Sequence, residues 1–218
     1  MPEMETTAKG TTNKYQGYSH TCMGHGMWAN DARPTLKCIF LQLVGALKIK
    51  PLDVILDWGG GCGHQLALFN YLYGTFGINI DLSDKGIDWQ HKHYPNTVGC
   101  AQDGTDLSNI PSNSVDHVIS YAALYHIKPE QQCSVLLQFL RILRPGGNIW
   151  VGWIKRSSTG GYIGVPCSFW TKCLKQEEGG HNTNLTAQID VCADEMKHWG
   201  TTVYSWPIHD SLIVTKLN

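Results

Sequence analysis

The sequence predicts an α/β fold, a doubly wound and mostly parallel sheet of seven strands that ends on an antiparallel strand. Three observations predict it. Between residues 34 and 154, short apolar runs alternate with segments of helical period, an order that lays strands side by side with right-handed crossovers. The first apolar run leads directly into Gly59, Gly60, Gly61 and Gly63, a turn from strand to helix. Two strand-like runs, 201–206 and 211–217, are separated by only a short link around Pro207, a spacing for antiparallel pairing.

Taken in order, residues 1–13 have little to bury and read as a disordered tail. A single domain is expected over 14–218. It begins with an arm, 14–33, that carries aromatic side chains among glycines and has no clean period. Leu36, Ile39, Phe40, Leu43, Val44 and Leu47 then recur at helical spacing behind Pro34, which predicts a helix over 34–48. Strands are expected over 53–57, 78–82, 97–101, 115–120 and 148–154. A helix is expected over 64–73, and Ser83 is placed to cap the next one. Another is expected over 129–143, with Leu136, Leu137, Leu140 and Leu143 turned inward and Arg141 and Arg144 near its negative end. Pro145, Gly146 and Gly147 stop it. Residues 155–186 read as an irregular insert near the acceptor site, and 187–199 as a helix.

Length and composition fit one domain with a core: 218 residues, 42% hydrophobic, net charge -1 from 17 basic and 18 acidic residues. No basic block stands out, so a nucleic-acid partner is not expected. No apolar run is long enough for a membrane span. The N-terminus, with Glu3 and Glu5, lacks the pattern of a signal peptide. The expectation is a cytoplasmic protein. The eight cysteines form no C-x-x-C pair, so reduced thiols are expected. Cys22 with His25 and Cys62 with His64 are each half a metal site, and no four-ligand pattern completes either, so no metal is expected.

The glycine turn is the informative feature. An open parallel sheet binds ligands beyond the carboxyl ends of its strands. Glycines let the backbone approach a ligand closely, and the helix behind them offers free N–H groups. The spacing fits neither G-x-G-x-x-G nor a G-K-[ST] phosphate loop, which argues against a nicotinamide oxidoreductase. The pattern is instead D-x-G-x-G-x-G, opened by Asp57. Asp81, at the end of the second strand, can accept both hydroxyls of a ribose.

The segments ILDWGGGCG, NIDLS, QDGTDL, SVDHVISYAALYHI and RILRPGG occur in that order. Across about residues 34–154 they resemble the class I S-adenosylmethionine-dependent methyltransferases, and the trailing strand pair suits that family's last antiparallel strands. The resemblance implies a Rossmann-like fold, S-adenosylmethionine as cofactor and S-adenosylhomocysteine as product. It implies that Asp57, Gly59, Gly61 and Gly63 hold the methionine part of the cofactor. Asp81 would hold the ribose, with Leu82 against the adenine. Asp103 would accept from the adenine amino group, with Gly104 beside it, and Ser120 and Tyr121 would lie near the sulfonium. Trp58 stands where the family usually has a small or apolar residue, and is expected to pack under the turn.

A methyl group on a sulfonium is already activated, so the protein's task is alignment. An oxygen or nitrogen acceptor that carries a proton also needs a base. His126, after the fourth strand, is one candidate, and Tyr125 a weaker one; His126 equally suits a histidine that orients its loop. The arm, with Tyr18, His20, His25 and Trp28, reads either as a lid over the acceptor or as a surface arm packed by its aromatics. Trp153 and Trp170 are candidate acceptor walls or core. Three functions follow: methylation of a small molecule on O or N, methylation of a protein or peptide, and cofactor binding in a non-catalytic partner subunit.

Overall fold

The computed structural model describes residues 44–45, 47–121, 123–152, 167–176, 187–192 and 211–217. The expectations of a disordered tail over 1–13, of an arm with Tyr18, His20, His25 and Trp28, of a strand over 201–206 and of a role for Trp153 fall outside the described residues.

Among the described residues seven strands form one sheet in the order β3-β2-β1-β4-β5-β7-β6. They are β1 (Val54–Trp58), β2 (Phe76–Asp81), β3 (Thr97–Ala101), β4 (Val115–Tyr121), β5 (Leu143–Gly152), β6 (Ala187–Cys192) and β7 (Ser211–Lys216). The first five pair in parallel, and β7 runs antiparallel to both β5 and β6. Among the described residues the helices with both ends defined are α1 (His64–Tyr73), α2 (Asp84–His93), α3 (Pro129–Ile142) and α4 (Cys167–Gln176), with a short 3₁₀ turn at Leu124–His126; residues 44, 45 and 47 are helical too, within the helix expected over 34–48.

Local chemistry explains most boundaries. Gly63 (φ 71°) and Gly74 (φ 65°) bracket α1 in the left-handed region, where glycine alone is unstrained. Ser83 caps α2 as expected, its hydroxyl accepting from the Gly86 amide at 3.1 Å. Pro129 opens α3. Arg141 does more than complement a helix end: its guanidinium donates to the carbonyls of Leu107 and Ile110 and so ties down the loop before β4.

Alternation along the central strands builds a core on each face. Leu56 and Val118 join Val135, Leu136, Phe139 and Leu140 of α3 on one side. Ile55 and Ile119 join Leu66 and Phe69 of α1 and Leu47 on the other. Leu137 is only partly buried against the first of these.

Four expectations need correction. Strand β5 begins at Leu143, not 148, because Leu143 already pairs with Val115 before an irregularity that precedes the His117–Asn148 pair. Residues 187–192 are a strand, not the start of a helix. Ile189 and Val191 stand in register with Val214 and Ile213 of β7 in an antiparallel ladder. The insert holds α4, and a disulfide joins its Cys173 to Cys133 of α3; Cys62 is disulfide-bonded as well, its partner outside the described side chains. Trp170 is fully buried among the α3-side core residues, so it packs the sheet face and lines no open wall. Among the described residues no helix is long and apolar enough to cross a membrane.

Candidate functional site

The strand order reverses at β1, which has β2 on one side and β4 on the other. Crossovers leave in opposite directions there and open a crevice at the carboxyl ends. The turn 59–63 sits in it. Gly59 (φ 74°), Gly61 (φ 58°) and Gly63 are all left-handed, so three successive corners depend on glycine. Close approach enforces two of them again. A Cβ on Gly59 would lie 2.3 Å from that of Ala123, and one on Gly63 would meet Gln90 at 2.5 Å.

An open cleft of about 570 Å³ lies beside the turn. Its walls bring together Gly59, Asp81, Leu82, Asp103, Gly104 and His126, with Trp58 and Ile80 below and Gln102, Ala123 and Ile127 at the sides. Asp81 is pinned in place. Its carboxylate accepts the Gly61 amide at 2.8 Å and the Ser83 amide at 2.8 Å. Burial still pushes its pKa up, against those hydrogen bonds. Asp103 accepts the Thr105 amide at 2.9 Å, so one oxygen caps its own turn while the residue also borders the cleft. Trp58 packs against that loop. Its indole donates to the Gly104 carbonyl at 2.8 Å, and a Cβ on Gly104 would strike the ring at 2.2 Å.

Beneath the turn the chemistry changes. Asp57 is 1% exposed, and burial, then Asp81, pushes its pKa up to about 8. Its Oδ2 has no hydrogen-bond partner, and neither do buried Asn79 Oδ1, Ser120 Oγ, Gln65 Oε1 and His64 Nε2 around the same turn. Native proteins rarely bury polar atoms without partners, and such groups mark a place for a ligand or ion. Buried acceptors and a glycine cradle suit the ammonium and sulfonium end of the expected cofactor, and Asp81 suits its ribose. The residues fit the group.

Ser120 and Tyr121 are not among the residues that line the cleft, whereas His126 is. Ser120 is fully buried at the end of β4. Tyr121 stacks on Trp150 with centroids 5.8 Å apart. His126 closes the 3₁₀ turn, its amide donating to the Ala123 carbonyl. Tyr125 shares that turn, its side chain outside the described ones. Among the described residues no three metal-ligating side chains come together.

Asn79 and Gln90 escaped the sequence reading. Asn79 donates to the Gly61 carbonyl at 2.9 Å and to Gln90 Oε1 at 2.6 Å. The signal was present: Asn79 is a polar residue in a buried parallel strand, two positions before Asp81 and therefore on the same face.

Residues 56–151 match the family model described as a methyltransferase domain. No curated protein is similar to the chain in sequence. Solved structures share the fold. One is a chain of the complex between the Haloferax volcanii Trm112 methyltransferase activator and a methyltransferase, with TM-score 0.66 and 16% identity over 94% of this chain and 96% of that one. Another is phosphoethanolamine N-methyltransferase 1 of Haemonchus contortus in complex with phosphoethanolamine and S-adenosylhomocysteine, with TM-score 0.66 and 16% identity. The match covers 94% of this chain and 48% of that one. A third, the [4+2]-cyclase SpnF, has TM-score 0.63 and 16% identity over 83% of this chain and 72% of that one.

Proposed function

We propose that this S-adenosylmethionine-dependent methyltransferase delivers its methyl group to an oxygen or nitrogen atom of a small molecule. The observation that carries the reading is the placement of His126 in the wall of the cleft that Asp81 and Gly59 also line. A base beside the reacting centre suits an acceptor that must lose a proton.

When bound, the cofactor supplies an electrophilic methyl group on sulfur. The chain's residues do the rest. Asp57 and the turn Gly59, Gly61 and Gly63 receive the amino-acid end. Asp81 accepts from the ribose hydroxyls with lone pairs that the Gly61 and Ser83 amides leave free. Leu82 and Gly104 flank the adenine, and Asp103 accepts from its amino group. Ser120 and Tyr121 back the sulfonium end. His126 takes the acceptor's proton as the new bond to carbon forms, with Tyr125 beside it. The arm with Tyr18, His20, His25 and Trp28, together with Trp153, belongs to the acceptor side in this reading, and the domain boundaries 1–13 and 14–218 stand with it.

The cytoplasm remains the proposed compartment on composition; the disulfides weigh against it. The partner is a small-molecule acceptor, and no nucleic acid is part of the proposal. The cyclase neighbour is a reminder that this fold serves other reactions, so the test must read methyl transfer directly. Incubation of the protein and a cell extract with methyl-labelled S-adenosylmethionine should put label in metabolites. Label in protein would replace the proposal with protein or peptide methylation. His126→Ala should lower turnover by about 10²-fold or more, in line with loss of a general base, with S-adenosylhomocysteine affinity unchanged by calorimetry. Unchanged turnover would leave His126 only a place in the loop.

A further inference from the structure

Asp57 and Asn79 are direct partners across β1 and β2, and in a parallel pair such neighbours project to the same face. Both side chains reach the space beside Gly60. A Cβ there would lie 2.5 Å from Asn79 Oδ1 and 2.7 Å from Asp57 Oδ2. These two oxygens are the atoms without a hydrogen-bond partner.

The orientation of the Asn79 amide is dictated from the far end of a chain of hydrogen bonds. The Thr97 hydroxyl donates to the Tyr94 carbonyl at 2.8 Å, so its oxygen accepts from Gln90 Nε2 at 2.8 Å. Gln90 Oε1 therefore faces Asn79 and accepts from its Nδ2, which also serves the Gly61 carbonyl. Turning the Asn79 amide over would set its oxygen against two acceptors. Oδ1 is left as an acceptor in the space beside Gly60 that Asp57 Oδ2 also enters, and an ionised carboxylate has nothing to donate. Every link points the same way, and the only donor missing from the first link is a proton on Asp57.

We infer that the ligand-free site holds a proton on Asp57, donated to Asn79 Oδ1, and that the cationic amino-acid end of the cofactor expels it on binding. The inference rests on the cofactor reading above. The neighbours of Asp57 agree with it. Asp81 is the charged group facing it from β2, while β4 presents Ile119 at its register position and α2 presents uncharged Gln90. Of the two carboxyls, Asp81 has amide donors on both oxygens and keeps the charge; Asp57 Oδ2 has none and takes the proton. Burial already holds Asp57 well above the usual carboxylate range. The balance is simple: an ammonium enters, one O–H bond breaks, and one proton leaves to solvent.

The test uses the full chain and S-adenosylhomocysteine, which has the ammonium but not the sulfonium. At about pH 6, above ordinary carboxylate values, infrared spectra of the ligand-free protein should show a protonated-carboxyl band. Asp57→Asn should remove it, Asn79→Ala should shift it, and added S-adenosylhomocysteine should abolish it. Calorimetry in two buffers of different ionisation enthalpy should show close to one proton released per ligand. Affinity should rise by up to about tenfold per pH unit toward pH 8. The wild-type measurements stand even where a variant fails to fold. Absence of the band, as when a water bridges the two oxygens instead, overturns the inference, and so does buffer-independent heat. A band in a chain that binds no S-adenosylhomocysteine overturns the cofactor reading and the expulsion step with it.

Discussion

At the amino-terminal edge of the sheet, Asp53 and Asp116 are surrounded by donors. Asp53 accepts the Lys50 amide at 2.7 Å and faces His117 Nε2 at 3.0 Å. Asp116 accepts the Val54 amide at 2.8 Å and the Arg144 guanidinium at 2.6 Å. At the other edge, on the same β1 strand, Asp57 is buried with an oxygen left alone. The partnered aspartates stitch β1 to β4 and β5. In the proposed function the lone one is the group that receives the cationic end of the cofactor. Apart from His117 Nδ1, the amino-terminal network has its buried atoms partnered. The amino-terminal aspartates have donors on hand, and the carboxyl edge, where the proposed cofactor site lies, has a buried oxygen without one.

The largest test of that contrast is Gly59→Ala, which adds a Cβ at φ 74° and 2.3 Å from Ala123. We expect S-adenosylhomocysteine affinity to fall by about 3 kcal/mol or more, combining strain with the clash, in a protein whose circular dichroism is unchanged. Next is Asp81→Ala, which should cost about 1–3 kcal/mol of cofactor binding by leaving hydroxyls poorly paired; unchanged calorimetric affinity in a folded variant removes Asp81 from the site. Asp116→Ala should do the reverse. It strands the Val54 amide and Arg144 and should lower unfolding free energy by about 1–2 kcal/mol, leaving cofactor affinity as it was.

The smallest effects are in the pH dependence, and the two edges carry opposite signs. Asp57 has a raised pKa, so its contribution is full below its unfolded value near 4 and is lost as pH climbs toward about 8. His117 is held down, by burial against the pull of Asp53. Its contribution is present above about 6.5 and lost as pH falls below it. Melting temperatures of the ligand-free protein should therefore gain on Asp57→Asn toward low pH and gain on His117→Gln toward neutral pH. Parallel curves for either pair would remove that group from the account.

Much of the carboxyl edge was legible because it is written locally. Asp57, the glycines, Asp81 and Ser83 lie within short stretches whose spacing alone sets strand end, turn and cap. Most of what failed depends on partners distant in sequence. Residues 187–192 alternate apolar and polar, a local strand signal that the expected helix over 187–199 passed over, and the pairing with β7 makes it plain. The Cys133–Cys173 bond joins positions 40 apart that no motif relates. Trp170 could have faced a cleft or a core until α4 was seen against α3. Asn79 is the intermediate case. Its polarity showed in the sequence, but its meaning required Gln90 and Thr97 to be placed behind it.

The position of β7 has a consequence for synthesis. It comes after β6 in the chain yet lies between β5 and β6. During translation β1 to β5 can assemble while β6, already made, has no strand to pair with among the described residues until β7 follows. Lys216, nearly buried, then donates to the Leu143 carbonyl and to Asn113. The half of the sheet that forms the turn and cleft can thus be in place on the ribosome before the half that completes it arrives, leaving an open edge on β5 as the interval in which a nascent chain is most exposed to misassociation.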